Sequence, residues 1–391
     1  MRNPNKRSVV MVCSQMPPVY GGAGAQAVLL ARKLIEQGWE VTAVTLDQAG
    51  VGSGNEHGVR VSRLLRGIAP KNRWSRLLTT LGLGIGTFVR IAVWRPSVVH
   101  IHGAYWWSIL PAVAGRLTGA KVVVKLTREG EDDAQTVFAK RVGRIGVGRV
   151  YGLSLTLADS VVVLNRQALR IAAAEGLGSR TRLISNGVDD VAFVRSTARR
   201  LVSRAAKELS VDDRVVMFVG YLVRHKGVVD LLEAWRQLGN RAARLWLVGP
   251  YEGFYREIDG EVPRLIDDLN RDGYQVETLG FVPPAELPAL YWAADVFALP
   301  SYAEGMPNSL AEALVAGCHV VATRIPGITE LMGSDSVDLV TPGDVPALAT
   351  RLAAALEKPR QVPNYRIERL WISNTAREME LLYLELLSGQ P

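Results

Sequence analysis

Residues 296–322 read VFALPSYAEGMPNSLAEALVAGCHVVA. A short apolar run at 296–298 meets a loop that Gly305 and Pro307 enforce, then an apolar-periodic helix at 309–316, then a second β-branched run at 320–322. Two apolar strands bracketing one helix form the unit of a parallel sheet, because parallel neighbours need a crossover connection. Within the unit, Ser309-x-x-Glu312 predicts a capping box that opens the helix. The backbone N–H groups of Gly305, Met306, Asn308, Ser309 and Leu310 are then candidates to surround phosphate oxygens. Glu304 in the loop and Glu312 one turn into the helix are candidates to accept hydrogen bonds from sugar or ribose hydroxyls, although a structural cap explains Glu312 equally well.

The same alternation runs outward along the chain. Strands are predicted at 9–13, 40–46, 97–102, 121–126, 160–164 and 181–184, with helices at 25–37 and 105–117 between them. A second series begins at 215–219 and 245–248 and continues at 277–279, 296–298, 320–322 and 338–340. Its helices are predicted at 228–237, 256–270, 284–293, 309–316 and 346–356. Two such runs in 391 residues predict two doubly wound Rossmann-like domains. The polar, Arg/Ala-rich stretch 191–210 that follows Asn186-Gly187 is expected to hold the boundary. The expected division is 1–192, 193–364 and a C-terminal helical segment, 365–391.

Composition bounds the class. Hydrophobic residues make up 48% and charged residues 21%, a globular balance without low-complexity tracts. Cys13 and Cys318 lie far apart and read as small buried hydrophobes, which points to a cytoplasmic setting without a disulfide framework. The first residues lack a signal-peptide core, and no stretch reaches the roughly 18 apolar residues of a spanning helix. The net charge of +8 is uneven. Residues 1–190 hold 25 Lys+Arg against 12 Asp+Glu, whereas 191–391 hold 21 against 26. The basic half suits an anionic membrane surface at the inner face of the membrane, or a lipid-diphosphate acceptor. Nucleic acid is disfavoured, because no basic run is interleaved with stacking aromatics.

Further motifs sit at strand ends. Gly21-Gly22-Ala23-Gly24 lies between the first strand and a helix expected near Ala25, where Gly22 and Gly24 would let a ligand approach the backbone. Gly22-x-Gly24-x-x-Ala27 also imitates a dinucleotide fingerprint, but the eight residues at 14–21 separate it from the strand, whereas that fingerprint needs a tight turn. Residues 220–227, GYLVRHKG, place Arg224 and Lys226 between a strand end and a helix start, cations suited to a diphosphate or simply to solvent. His100 and His102 share one face of their strand without a third metal ligand at suitable spacing. No Asp-x-Asp triplet occurs, so no metal is expected and cations with helix N-termini would stabilise a leaving group. Tyr105, Trp106 and Trp107 are candidates for sugar stacking, with at least one facing the core. Residues 127–133, TREGEDD, read as a solvated acidic loop in which Glu129 or Asp132 could alternatively orient an acceptor. Residues 74–94 carry apolar residues between Arg73, Arg76, Arg90 and Arg95; they read equally as a buried helix with basic ends or as an interfacial helix, and Gly82, Gly84 and Gly86 weaken a helical reading.

Taken together, Glu304-x7-Glu312, the Lys226-Gly227 loop and the Gly-Gly-x-Gly loop resemble the retaining glycosyltransferases of family four, of the type that builds bacterial cell-surface polysaccharide. Residues 98–102, 184–189 and 313–317 extend the resemblance over nearly the whole chain. The resemblance implies a GT-B fold, with a cleft between two Rossmann-like domains and a C-terminal helix crossing back to the N-terminal one. It implies a hexosyltransferase that needs neither metal nor cofactor. Its donor would be a nucleotide diphosphate sugar and its acceptor a saccharide or lipid-linked hydroxyl. By the same resemblance Lys226 would contact the diphosphate, Glu304 the transferred sugar and Glu312 the ribose. Met306, Pro307, Asn308, Ser309 and Leu310 would hold diphosphate and sugar, Gly22 and Gly24 would line the phosphates, and His102 would sit beside the sugar as a catalytic group with Glu304. One departure stands out: the family's Arg after the glycine that ends the first C-terminal strand is Tyr221 here, with Arg224 nearest. A nucleotide-sugar epimerase or phosphorylase and a catalytically silent GT-B subunit are the alternatives.

Overall fold

The structure is a computed structural model that describes residues 7–19, 21–68, 72–128, 130–250, 260–358 and 367–389. The chain divides into two units: residues 1–187 with 372–391, and residues 188–371.

In the first unit the strands are β1 (Ser8–Val12), β2 (Glu40–Leu46), β3 (Gly54–Glu56), β4 (Val59–Leu64), β5 (Val98–His102), β6 (Lys121–Lys125), the hairpin β7 (Arg141–Val142) and β8 (Ile145–Gly146), β9 (Ser160–Val163) and β10 (Thr181–Leu183). The helices are α1 (Gly22–Glu36), α2 (Arg73–Trp94), α3 (Ile109–Thr118), α4 (Ala134–Phe138), α5 (Gly148–Tyr151), α6 (Leu153–Leu157) and α7 (Arg166–Ala174). Eight strands form one sheet in the order β10-β9-β6-β5-β1-β2-β4-β3. Only β3 runs antiparallel to its neighbour. The sheet is covered on both faces, as the alternation along β1 shows. Val10 and Val12 join a core with α2 and α3 residues, whereas Val9, Met11 and Cys13 join the opposite core with α1.

The second unit contains β11 (Val215–Val219), β12 (Arg244–Val248), β13 (Gln275–Gly280), β14 (Val296–Leu299), β15 (His319–Thr323) and β16 (Leu339–Val340). Its helices are α8 (Thr197–Ala206), α9 (Val228–Leu238), α10 (Glu261–Arg271), α11 (Leu287–Ala293), α12 (Asn308–Ala316), α13 (Pro326–Met332) and α14 (Val345–Glu357). The sheet is fully parallel, in the order β13-β12-β11-β14-β15-β16. The final helix, α15 (Ile372–Ser388), returns to the first unit and buries Ile372, Ala376, Met379, Leu382 and Tyr383 beside α1. Gly187 permits this return, because a Cβ there would lie 2.4 Å from the Ile372 Cα. Gln26 brackets the same residue, donating to the Gly187 carbonyl at 2.8 Å and accepting from its N–H at 3.1 Å.

Several expectations need correction. The units divide at Gly187/Val188 and Trp371/Ile372, not at 192/193 and 364/365. Val188 already belongs to the second unit, donating to the Leu370 carbonyl at 2.7 Å and bridging Trp371. The Arg-rich stretch is not a linker. Ser196 caps α8, whose Arg200 and Arg204 reach the carbonyls at the end of α11 and the Asp295 carboxylate. Arginines of the stretch expected to hold the boundary therefore staple α8 to α11. The predicted helix 256–270 is described only from residue 260, and residues 359–366 of the tail likewise lie outside the described residues.

Candidate active site

In each sheet the order of the parallel strands changes direction at one point, and in open α/β sheets the loops diverge at such a point and leave a crevice at the carboxyl ends. In the second unit the reversal falls between β11 and β14, paired at Val216–Val296 and Met217–Phe297. The loops that leave these two strands carry Arg224 with Lys226, and Glu304 to Pro307, after which Asn308, Ser309 and Leu310 open α12. In the first unit it falls between β1 and β5, whose loops lead to Gly22 and Gly24 and begin at His102.

At the β11/β14 point the Lys226 Nζ lies 2.6 Å from the Glu304 Oε1. Glu304 is nearly buried, Lys226 half-buried. The Ser301 hydroxyl donates to the same carboxylate oxygen at 2.8 Å, and Ser301 is in turn fixed by Thr323, whose hydroxyl donates to its carbonyl at 2.5 Å. The two loops can meet because Gly227 adopts φ 71° and lacks a Cβ, which would fall 2.0 Å from the Pro300 carbonyl oxygen. The Tyr302 N–H donating to the His225 carbonyl at 2.9 Å ties them further. Gly327, in the first turn of α13, admits the Glu304–Gly305 backbone in the same way: a Cβ would lie 2.2 Å from the Glu304 carbonyl oxygen. Ser301, Thr323 and Gly327 were not singled out from the sequence; the Ile325-Pro326-Gly327 turn after a strand was the one legible signal.

The capping box is not formed. Helix α12 starts at Asn308, with Pro307 at its N-cap and no side-chain cap. The Glu312 carboxylate instead accepts the Tyr291 hydroxyl at 2.8 Å. Surrounding protein desolvates that carboxyl and pushes it up to about 7, against the lowering effect of the tyrosine bond. Met306, Pro307 and Leu310 are buried, while Gly305, Asn308 and Ser309 retain partial exposure. Arg224 is largely exposed and its guanidinium pairs with Glu261 at the start of α10.

In the first unit, helix α1 begins at Gly22, three residues earlier than expected, so both glycines lie in its first turn. Gly24 is required by packing, because a Cβ would fall 2.2 Å from the Gln15 carbonyl oxygen. His102 is buried, with neither ring nitrogen hydrogen-bonded among the described residues. Burial and the nearby Lys125 ammonium hold it down to about 3, so the ring is neutral. Its neighbour His100 stacks on it at 4.3 Å and shares a 2.6 Å hydrogen bond with the Tyr383 hydroxyl. No third metal ligand joins the two rings among the described residues. Lys125, register partner of His102, is buried without an ion pair among the described residues, and burial lowers its ammonium to about 8. Its sequence signal was a lysine closing the apolar run KVVVK.

The loop after β6 departs from a solvated acidic loop at Asp132 and Asp133, which are buried, while Glu131 is exposed. Asp132 is buried and accepts from the Thr127 N–H, the Thr127 hydroxyl and the Arg128 N–H at 2.9, 2.9 and 2.6 Å. Desolvation nevertheless pushes its carboxyl up to about 6. Asp133 caps α4. Glu129 lies outside the described residues. Among the aromatics, Trp107 faces the core and Tyr105 stacks on it at 6.1 Å.

Comparison with known proteins assigns both units. Residues 21–187 match the family model described as glycosyl transferase 4-like domain, and residues 213–358 match that of glycosyl transferases group 1. The chain belongs to glycosyltransferase family four. This glycosyltransferase is 28% identical over 354 residues to the 2-deoxystreptamine N-acetyl-D-glucosaminyltransferase of Streptomyces fradiae, covering 85% of this chain and 82% of that one. It is 26% identical over 285 residues to TuaC of Bacillus subtilis, whose name places it in teichuronic acid biosynthesis; the match covers 73% of this chain and 65% of the relative, just under two thirds. The glycosyltransferase shares its fold, at a TM-score of 0.74 and 17% identity over 97% of this chain and 100% of the other, with an Anabaena HepE solved with UDP and glucose. The two Rossmann-like units are those of the GT-B fold.

Proposed function

We propose that this glycosyltransferase moves a hexose from a nucleotide diphosphate donor to a hydroxyl of a saccharide or lipid-linked acceptor, with retention, in surface polysaccharide synthesis at the cytoplasmic side of the membrane. The carrying observation is the Lys226–Glu304 contact at the β11/β14 reversal, beside the start of α12. In this reading the second unit holds the donor and the first the acceptor. Lys226 and the amides at the start of α12 take the diphosphate and offset the negative charge that grows as the C1–O bond breaks. Residues Gly305 to Leu310 hold diphosphate and sugar, and Arg224 adds charge once released from Glu261. Glu304 accepts hydroxyls of the transferred sugar, and Glu312 those of the ribose. The acceptor oxygen forms the new bond to C1 on the face the diphosphate leaves, and its proton passes to a departing phosphate oxygen. His102, neutral and without a hydrogen-bond partner among the described residues, offers a ring nitrogen to a substrate hydroxyl. Gly22 keeps the start of α1 bare for close approach, while Gly24 lets the Gln15–Met16 backbone pack against that turn. No metal or cofactor is required, since cationic and amide donors supply the leaving-group stabilisation.

Support for the donor class comes from the UDP and glucose bound by the HepE neighbour, and for the polysaccharide role from the naming of TuaC. A thermal-shift screen across nucleotide sugars selects the donor, because a ligand that binds the native state raises the melting temperature. Transfer is then assayed with Glu304→Ala as control, and the product anomer is read by NMR. An inverted anomer, or equal turnover in the variant, rejects the proposal.

A further inference from the structure

Helix α2 carries large apolar residues on both its sides, whereas an ordinary surface helix buries its apolar residues and exposes polar ones. Its protein-facing side buries Leu83 and Ile91 together with the small or polar Thr79, Gly84 and Thr87. Gly82, Gly84 and Gly86, which weaken a helical reading of the sequence, let it sit close, since a Cβ at each would approach Leu65, Leu110 and Leu64 at 2.7, 3.0 and 2.7 Å. The opposite side carries Trp74, Leu78, Leu81, Ile85 and Val89, at spacings of three or four residues that set them on one stripe. Trp74 is 73% exposed, Leu78 65% and, at the far end, Val93 71%. In water such a stripe carries an unfavourable hydration free energy along a helix about 33 Å long.

We propose that this stripe is the surface through which the protein docks flat on an anionic lipid bilayer. Three features choose lipid over a second copy of the chain. First, the helix contains no Asp or Glu, and exposed Arg76 and Arg95 stand near its two ends where headgroup phosphates would lie. Second, Trp74 and Trp94 occupy those ends, the position aromatic rings favour at the level of the headgroups. Third, the unit that carries α2 holds 26 Lys+Arg against 13 Asp+Glu, so two copies facing each other here would repel while a negative leaflet attracts. With 22 residues and Gly82, Gly84 and Gly86 packed against the protein, the helix lies along the unit's surface instead of standing free to span. The inference needs neither a donor nor turnover.

The test is co-sedimentation of the full chain with phosphatidylcholine vesicles, with and without about 30% phosphatidylglycerol, at low and high salt. The wild type is expected to bind the anionic vesicles and to lose binding as salt rises. L78E/I85E places two charges where the stripe would insert and is expected to weaken binding about tenfold or more. R76E/R95E is expected to lose the preference for anionic lipid. All four residues are exposed, so melting temperatures should match the wild type. Should L78E/I85E fail to fold, brominated-lipid quenching of tryptophan fluorescence, compared between the wild type and Trp74→Phe, reads insertion directly. Absence of wild-type binding to anionic vesicles at low salt, unchanged binding by L78E/I85E, equal quenching in Trp74→Phe, or a stable wild-type dimer that L78E/I85E dissociates would each overturn the proposal.

Discussion

Glu312→Gln should separate the demands of folding from those of ligand binding. In the folded protein the Glu312 carboxyl is raised from 4.5 to about 7 by desolvation. A carboxyl raised on folding contributes its stability in the neutral form. That contribution is complete below about 4.5 and is lost as pH climbs through about 7, because the native state must then give up a proton it holds more tightly than the unfolded chain. Glutamine keeps an acceptor for the Tyr291 hydroxyl and has no proton to lose. Wild type and variant should therefore have similar stability near pH 4.5, and the variant should be the more stable at pH 8.5. A shift of this size corresponds to an upper bound of about 3 kcal/mol. For a unit of this size that is roughly 6–12 °C in melting temperature, and relaxation around the carboxylate will reduce it. Scanning calorimetry at the two pH values measures the gap. At the same time nucleotide affinity should fall, since the amide presents one hydroxyl acceptor where the carboxylate presents two. A variant whose melting temperature differs equally at both pH values, or is lower at pH 8.5, refutes the reasoning.

Other outcomes follow from the same contacts. Lys226→Met should weaken nucleotide diphosphate binding by about 1.5–3 kcal/mol, roughly 10- to 150-fold by calorimetry, as expected for loss of a charge-assisted hydrogen bond. His102→Phe replaces a buried ring whose nitrogens have no hydrogen-bond partner among the described residues, so the melting temperature should hold or rise while kcat falls at least tenfold. Asp295→Ala removes the one carboxylate that pairs with Arg200 and the buried Arg204 among the described residues, leaving them only backbone carbonyls, and should cost about 3 kcal/mol in denaturant unfolding. Gly227→Ala forces both a positive φ and a backbone collision at Pro300, and should lower the melting temperature and nucleotide affinity together.

Most strands of both sheets were legible because they are short β-branched runs buried on two faces, as KVVVK at β6 and VVMFV at β11 illustrate, whereas β3 and β4, which carry exposed residues, were not. The loops after β11 and β14 were legible through their glycines and charges, and the sheet order brings Lys226 and Glu304 together. What escaped was set by tertiary partners. Ser309 and Glu312 have capping-box spacing, yet the carboxylate finds Tyr291, which lies 21 residues earlier in the chain. Arg200 and Arg204 look like solvent-facing charge until Asp295 is placed beside them. The glycines of α2 lower its helix propensity by about 1 kcal/mol each, and only contact with Leu64, Leu65 and Leu110 explains their presence. Asp132 sits in an acidic run, but its loop folds three donors around it.

The most direct test of the donor site is a crystal structure of the protein soaked with UDP. Diphosphate oxygens are expected within about 3 Å of the Lys226 Nζ and of the first amides of α12, with the ribose at Glu312. Nucleotide density at any other strand end, with Lys226 still paired to Glu304, would contradict the account.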